Sequence, residues 1–180
     1  MYYTPDVREY INTAEFAHEP GTKFEGEDLS PLFVGVALEA ALRKKQSGIT
    51  LSEFASRHLW QPMGAEYPAE WVIDRKDDGM EKVESGFVAR AIDFARFGQL
   101  YLDNGRANGQ QIVPETWVKA SITAPGVGKP NHFKEGFYQN LWWGYFRAGR
   151  KQDDFYANGH FGQRIYVSPD KKLVIVRMGS

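Results

Sequence analysis

The strongest constraint on what this chain can fold into lies near its end. "RIYV" and "KLVIVRM", residues 164–167 and 172–178, are dense in β-branched and aromatic side chains, and "SPDKK" around Ser168 and Pro169 supplies a tight turn between them. "LWWGYFRAG", residues 141–149, has the same character, so the segment predicts an antiparallel meander. In the final strand Leu173, Ile175 and Arg177 alternate with Val174, Val176 and Met178, which leaves both faces largely apolar. A strand of that kind expects cover on two sides. Three strands with so little around them make a sheet with two open edges, and the pattern reads as a fold cut at one or both ends.

The preceding 130 residues carry helical patterns. "TPDVREYINTAEF" places Thr4 as an N-cap and Pro5 at the first helical position, with Val7, Ile11 and Ala14 on one face. "LSPLFVGVALEAALRKKQSG" predicts the longest helix, started by Pro31, striped by Leu32, Val36, Ala40 and Phe33, Ala37, Ala41, and stopped by Gly48. Thr50 and Glu53 have capping-box spacing for a helix running to Leu59. "EWVIDRKDDGMEKVESG" reads as a charged loop. Ile92, Ala95 and Leu102 mark a third substantial helix ending at Asn104-Gly105, with Asp93 and Arg96 on a solvated or paired face. Pro114 opens a short helix after the turn at "NGQQIV". One α+β domain over residues 1–180 is expected, mainly helical over 1–130 and antiparallel strands over 131–180.

Basic and acidic residues number 22 and 23, and no run of Lys or Arg offers a track for phosphates, so nucleic acid is not an expected partner. No apolar stretch is long enough to span a bilayer. The absence of cysteine removes disulfides, thiolate nucleophiles and Cys-based zinc sites together. His18, His58, His132 and His160 stand far apart, none at the i, i+4 spacing of a helical zinc pair, so neither a metal nor an organic cofactor is expected. No G-x-S-x-G elbow is present. Ser168 to Lys171 matches S-x-x-K in form, but a turn between strands does not bring the amine onto the hydroxyl as a helical turn does. Thr116 and Lys119 are no better a match.

Taken in order, "PGTKF", "ALEAAL", "LWQPMGAE", "ARAIDFARFGQLYLDNG", "NGQQIVPETWV", "WWGY" and "NGHFGQRIYVSPDKKLVIV" resemble the C-terminal half of the serine β-lactamase-related family. That family includes class C β-lactamases, DD-peptidases, esterases and 6-aminohexanoate-dimer hydrolases. The resemblance spans residues 19–176 and implies a β-lactamase/DD-peptidase-like fold, with helices packed on an antiparallel sheet and the active site at their junction. It implies a serine hydrolase that cleaves a small-molecule amide or ester through an acyl-enzyme. The family's nucleophilic Ser and its Lys lie on a helix upstream of the matched stretch, so this chain alone is expected to be inactive. The family's Tyr-x-Asn element is also missing, since Phe24, Glu25, Gly26, Glu27 and Asp28 stand where it would fall.

The family's third motif, Lys-Thr-Gly or His-Thr-Gly, aligns with Ala157-Asn158-Gly159 when counted back from Gly162-Gln163 and Pro169. In that register Gly159 keeps the strand edge bare and the backbone N–H of His160 donates to the oxyanion, which makes these two the catalytic candidates. A second register makes His160 the motif's own histidine, in His-Phe-Gly, with Gln163 as donor. The first is preferred because it matches both glycines. Ala157, Asn158, Phe161, Gly162 and Gln163 then become substrate-binding candidates, together with Trp142, Trp143 and Tyr145 on the strand before. Alternation turns one of the two tryptophans toward the cleft. The plainer reading of Gly159 and Gly162 is that they permit a bulge. A reading from another class is a binding module that keeps the family cleft without its chemistry and satisfies its open sheet edges by self-association.

Overall fold

The computed structural model describes residues 6–15, 17–19, 22, 29–45, 48–124, 132–133, 136–147 and 150–179. Thr4, Pro5 and the stretch from Phe24 to Asp28 lie outside the described residues. Among those described, five helices precede a six-stranded antiparallel sheet, and two short hairpins sit between the helices.

Helix α1, Val7–Thr13, is capped by Asp6, whose carboxylate accepts the amide of Glu9 at 2.9 Å. The cap therefore lies two residues beyond the expected Thr4. Helix α2, Leu29–Lys45, runs as its pattern predicts, but its buried line is Leu32, Gly35, Glu39 and Leu42. Ala37, Ala40 and Ala41, expected inside, are exposed. Glu39 takes a core-facing place because Arg8 of α1 reaches it through two guanidinium hydrogen bonds, so the carboxylate enters the helix–helix contact already paired. Helix α3, Leu51–Ala55, begins with both halves of the capping box formed by Thr50 and Glu53, then continues as a wider π-turn over Ser56–Trp60. These helices share a core of Val7, Ile11, Leu32, Leu42, Ile49, Leu51 and Met80.

The charged stretch expected to be a loop is ordered. Strands β1, Glu70–Trp71, and β2, Phe87–Val88, form a hairpin, and an isolated bridge joins Ile73 to Glu81. Met80, Glu81 and Lys82 are buried, and Glu81 accepts the amide of Ser52 at 2.8 Å. Helix α4, Ala91–Leu102, lies against the sheet. Strands β3, Arg106–Ala107, and β4, Gln110–Gln111, make a second small hairpin, and helix α5, Glu115–Ile122, follows Pro114.

The large sheet comprises β5, His132–Phe133; β6, Gly136–Gln139; β7, Trp142–Arg147; β8, Arg150–Asn158; β9, Arg164–Ser168; and β10, Leu173–Arg177. Its order is β10-β9-β8-β7-β6-β5, a continuous meander. It has twice the three strands expected, because β8, with its opening "RKQDD", carries too many charges to read as a strand. The core face presents Trp142, Phe155 and Val167 to Tyr101 and Val118. Gly98 lets α4 approach closely: a Cβ there would stand 2.6 Å from Val174 and 2.9 Å from Ile165. Two-sided cover of β10 is not what the structure shows. Val174 and Val176 face α4, whereas Leu173 and Ile175 on the other side are 41% and 49% exposed.

Candidate functional site

The loop between β8 and β9 holds most of the candidate residues. The last ladder pair of the two strands is Asn158 with Arg164, so Gly159 to Gln163 lie beyond the sheet's hydrogen bonds. They close a single 3-10 turn over His160–Gly162, in which the Gly159 N–H donates to the Gln163 carbonyl at 2.9 Å and the Gln163 N–H to the His160 carbonyl at 3.3 Å. The glycines thus serve a turn. Gly162 needs its residue type, at φ +79° with the Arg177 guanidinium under it, and a Cβ would come 3.3 Å from Arg177 Cζ. Gly159 is extended at φ −126°, and a Cβ there would press on Gln163 Cβ at 3.2 Å. His160 is exposed, and the amide it carries lies outside the ladder.

Phe161 is the outlier of the loop. It sits at φ 56°, in the left-handed region disfavoured for side chains with a Cβ, and its ring is 80% exposed. Around it the loop is pinned. The Gln163 amide makes a two-way clamp with the backbone of Gly179, donating to its carbonyl and accepting its N–H, both at 2.9 Å. The side chain of Asn158 accepts from Arg164 at 3.0 Å, and the Arg164 guanidinium lies 4.7 Å from the Tyr156 ring centre. Ala157 faces the core and is half-buried.

The two tryptophans separate as alternation requires. Trp142 is 3% exposed and packs between Tyr101 and Phe155, with ring centres 4.5 and 5.1 Å away. Trp143 occupies the opposite face, stacked on Tyr156 with ring planes 11° apart. Tyr145 joins a hydroxyl–carboxylate cluster on that same face. Asp154 accepts from Tyr166, from Ser168 at 2.6 Å and from Tyr145 at 3.3 Å. Burial pushes the Asp154 carboxyl up, but the three hydroxyl hydrogen bonds and the charge of Lys171 outweigh it and hold the group below its ordinary value. Burial and the neighbouring carboxylate push the Tyr166 phenol strongly up. Ser168 is therefore committed to Asp154 and Lys171 stands in the turn, which disposes of the formal S-x-x-K match.

The structure adds a feature that sequence reading missed. Between the α3 π-turn, the β1–β2 hairpin, α4 and the start of β9 opens a cleft of about 540 Å³, walled by Trp60, Tyr67, Trp71, Phe87, Phe94 and Phe97. Its rim loop, residues 65–69, is fixed by Asp93, which is fully buried and accepts the amides of Glu66 at 2.8 Å and Tyr67 at 3.2 Å while pairing with Arg96. Asp93 was expected on a solvated or paired face. It is paired, but it is an internal anchor. Glu84, on the turn that wraps the Trp71 indole, has one buried carboxylate oxygen without a partner among the described residues. No cluster of three potential metal ligands occurs among the described residues, and none of the described helices is long and apolar enough to cross a membrane.

Comparison with known proteins gives the frame for these parts. A 6-aminohexanoate-dimer hydrolase of Paenarthrobacter ureafaciens is 29% identical over 144 residues, which is 76% of this chain and 35% of that protein. A Bacillus anthracis structure bearing the same enzyme name superposes with a TM-score of 0.76 at 29% identity, over 96% of this chain and 42% of the other. In sequence and fold the chain is similar to hydrolases of the serine β-lactamase-related family. A penicillin-binding protein of Bacillus halodurans, 14% identical, shares the fold of this family with a TM-score of 0.69 over 97% of the chain. No protein-family model matches. The chain spans less than half the length of the hydrolase relatives it matches. The β8–β9 loop reads Asn158-Gly159-His160, with no Lys before its glycine.

Proposed function

We propose that this chain is the C-terminal part of a serine hydrolase that cleaves amide or ester bonds through an acyl-enzyme, with the nucleophilic Ser and its Lys outside the 180 residues. The β8–β9 loop supplies the oxyanion donor, the backbone N–H of His160, and one wall of the pocket. The observation that carries this reading is the position of that loop. His160 is exposed and two residues past the last ladder pair, in a turn closed by the Gly159 and Gln163 amides. The names of the two hydrolases to which the chain is 29% identical favour an amide substrate.

In this mechanism the serine, activated by its lysine, attacks the substrate carbonyl. Charge gathers on the oxygen as the tetrahedral intermediate forms, and a preorganised amide stabilises it more than it stabilises the ground state. The turn preorganises the donor: Gly162 and the Gln163–Gly179 clamp fix the backbone before substrate arrives.

The test compares the 180-residue chain with a form extended upstream in its own coding sequence, each given a p-nitrophenyl ester and a chromogenic β-lactam. The chain alone is expected to show no turnover above buffer, and turnover by it would refute the placement of the nucleophile. In the extended form His160→Pro removes the N–H and should lower kcat by roughly 10² to 10³, whereas His160→Ala keeps it and should stay within a few-fold. Proline suits this place because Gly159, at φ −126° and ψ 174°, already has the extended backbone that a residue before proline adopts. Equal activity of both variants would sink the oxyanion assignment.

A further inference from the structure

The aromatic cleft is unaccounted for by the loop chemistry, and its lining says what it accepts. Trp60 and Trp71 turn their polar edges away from it: the Trp60 indole N–H donates to the Tyr67 carbonyl at 2.9 Å, and that of Trp71 to the carbonyls of Lys82 and Ser85 at 3.0 and 3.2 Å. What these two rings offer a ligand is aromatic carbon, beside the shorter polar side chains of Ser52, Ser56 and Gln61. Ring contacts between Trp60 and Phe87, Trp71 and Phe87, and Phe87 and Phe94 at 5.1–6.0 Å make these walls one continuous surface.

Cationic partners are lacking there. No Lys, Arg or His lines the cleft. Glu66 and Glu70 complete the lining: Glu66 is held by Arg96, and Glu70 stands in register with the exposed Val88 rather than with Phe87. An anion entering would lose its hydration with nothing to replace it, and a cation would meet only Glu66, already paired with Arg96, and Glu70 at the exposed side of β1. The volume of about 540 Å³ is that of an ordinary small-molecule pocket.

The cleft also adjoins the loop. Ile165 forms part of its wall, lies directly across the ladder from Ala157, and follows Gln163 by two residues, roughly 7 Å along the strand. From these facts we infer that the cleft binds a neutral apolar group, an aryl ring or an alkyl chain of a few carbons. On the hydrolase reading above, on which this last step rests, the group is the apolar arm of the ester or amide whose carbonyl meets the His160 amide.

Binding is tested on the 180-residue chain without any need for turnover. Three probes of one shape, 4-phenylbutan-1-ol, 4-phenylbutyrate and 4-phenylbutylammonium, are titrated against tryptophan fluorescence and backbone amide shifts. The alcohol is expected to saturate with a Kd at least tenfold below that of either ion, and to move amides in residues 52–71, 87–97 and Ile165. Ala65→Trp, which fills the cleft from its rim, should abolish saturation with an unchanged far-UV spectrum, and Ala69→Phe serves if that variant does not fold. Equal or tighter binding of an ion, or no saturation by the alcohol, overturns the ligand class. Shifts at Gly159 to Gln163 with the alcohol bound support the shared site. Cleft shifts without them overturn the substrate-arm assignment, while failure of the hydrolase reading shows only in the His160→Pro comparison.

Discussion

Replacing Asp154 by Ala should cost this fold about 2–4 kcal/mol, and the value follows from who is left without a partner. Ser168 is 0% exposed and gives its hydroxyl hydrogen to Asp154 at 2.6 Å, so truncation strands a buried donor at about 1–3 kcal/mol. Tyr145 and Tyr166 lose less, about 0.5–1 kcal/mol between them, since their hydroxyls stand 3.4 Å apart and pair with each other. For a chain of this size that loss corresponds to a fall in Tm of roughly 5–15 °C. The assay is urea unfolding at pH 7 of wild type, Asp154→Ala, Ser168→Ala and the double variant, in which a coupling of about 1 kcal/mol or more is expected. Proton linkage supplies an independent check. The Asp154 carboxyl is held below its ordinary value in the folded state, so its contribution is complete above the unfolded value near pH 4 and disappears as pH falls through the folded one. The stability gap between wild type and Asp154→Asn should therefore be widest near pH 7 and narrow below about pH 4. A cost under 0.5 kcal/mol for Asp154→Ala, or a gap that does not close in acid, would refute the reasoning.

Two further outcomes are expected. Arg8→Ala leaves Glu39, 6% exposed, with Arg43 alone at 3.3 Å, and should cost about 2–3 kcal/mol in urea unfolding. Arg8→Met with Glu39→Met should cost less than Arg8→Ala by itself, because no buried charge remains. In the loop, Phe161→Gly relieves a left-handed backbone and an exposed ring and should raise stability by about 0.5 kcal/mol, while Gly162→Ala at φ +79° should lower it by about 1 kcal/mol. Opposite shifts in Tm at adjacent positions are the signature to measure.

The parts of the fold legible in the sequence were those whose signal is local. The Thr50–Glu53 box, the turn at Pro169 and the apolar alternation of β9 and β10 depend on residues a few places apart. The parts that were not legible depend on distant partners. β8 reads as a charged segment, yet it is a strand because Phe155 and Ala157 find the core on one side while Asp154 meets three hydroxyls on the other. Glu39 sits in the buried line of α2 because of Arg8, 31 residues away. Asp93 is internal because a rim loop 26 and 27 residues upstream needs its carboxylate. The aromatic cleft was hidden for the same reason: its rings come from four separate elements, and no window of sequence holds more than a few of them.

The placement of cleft and loop follows from a single packing contact. α4 carries Phe94 and Phe97 into the cleft, while β9 carries Ile165 into it and begins where the loop ends. Helix and strand are held together at Gly98, where the missing side chain lets Ile165 and Val174 seat against the helix. A larger residue there would force the helix off the sheet, since interiors at crystal-like density have no slack to absorb a methyl group. Asp93 of the same helix holds the rim loop, so one helix sets both the cleft's wall and its distance from the His160 turn. Geometry of that kind is what a site needs when one end of a ligand must be gripped while the other reacts, because a displacement of about 1 Å between the two ends costs rate at the reacting atom. In this chain the backbone turn is fixed by the Gln163–Gly179 clamp and the cleft by Asp93, two supports on rigid elements, with β9 as the bar between them.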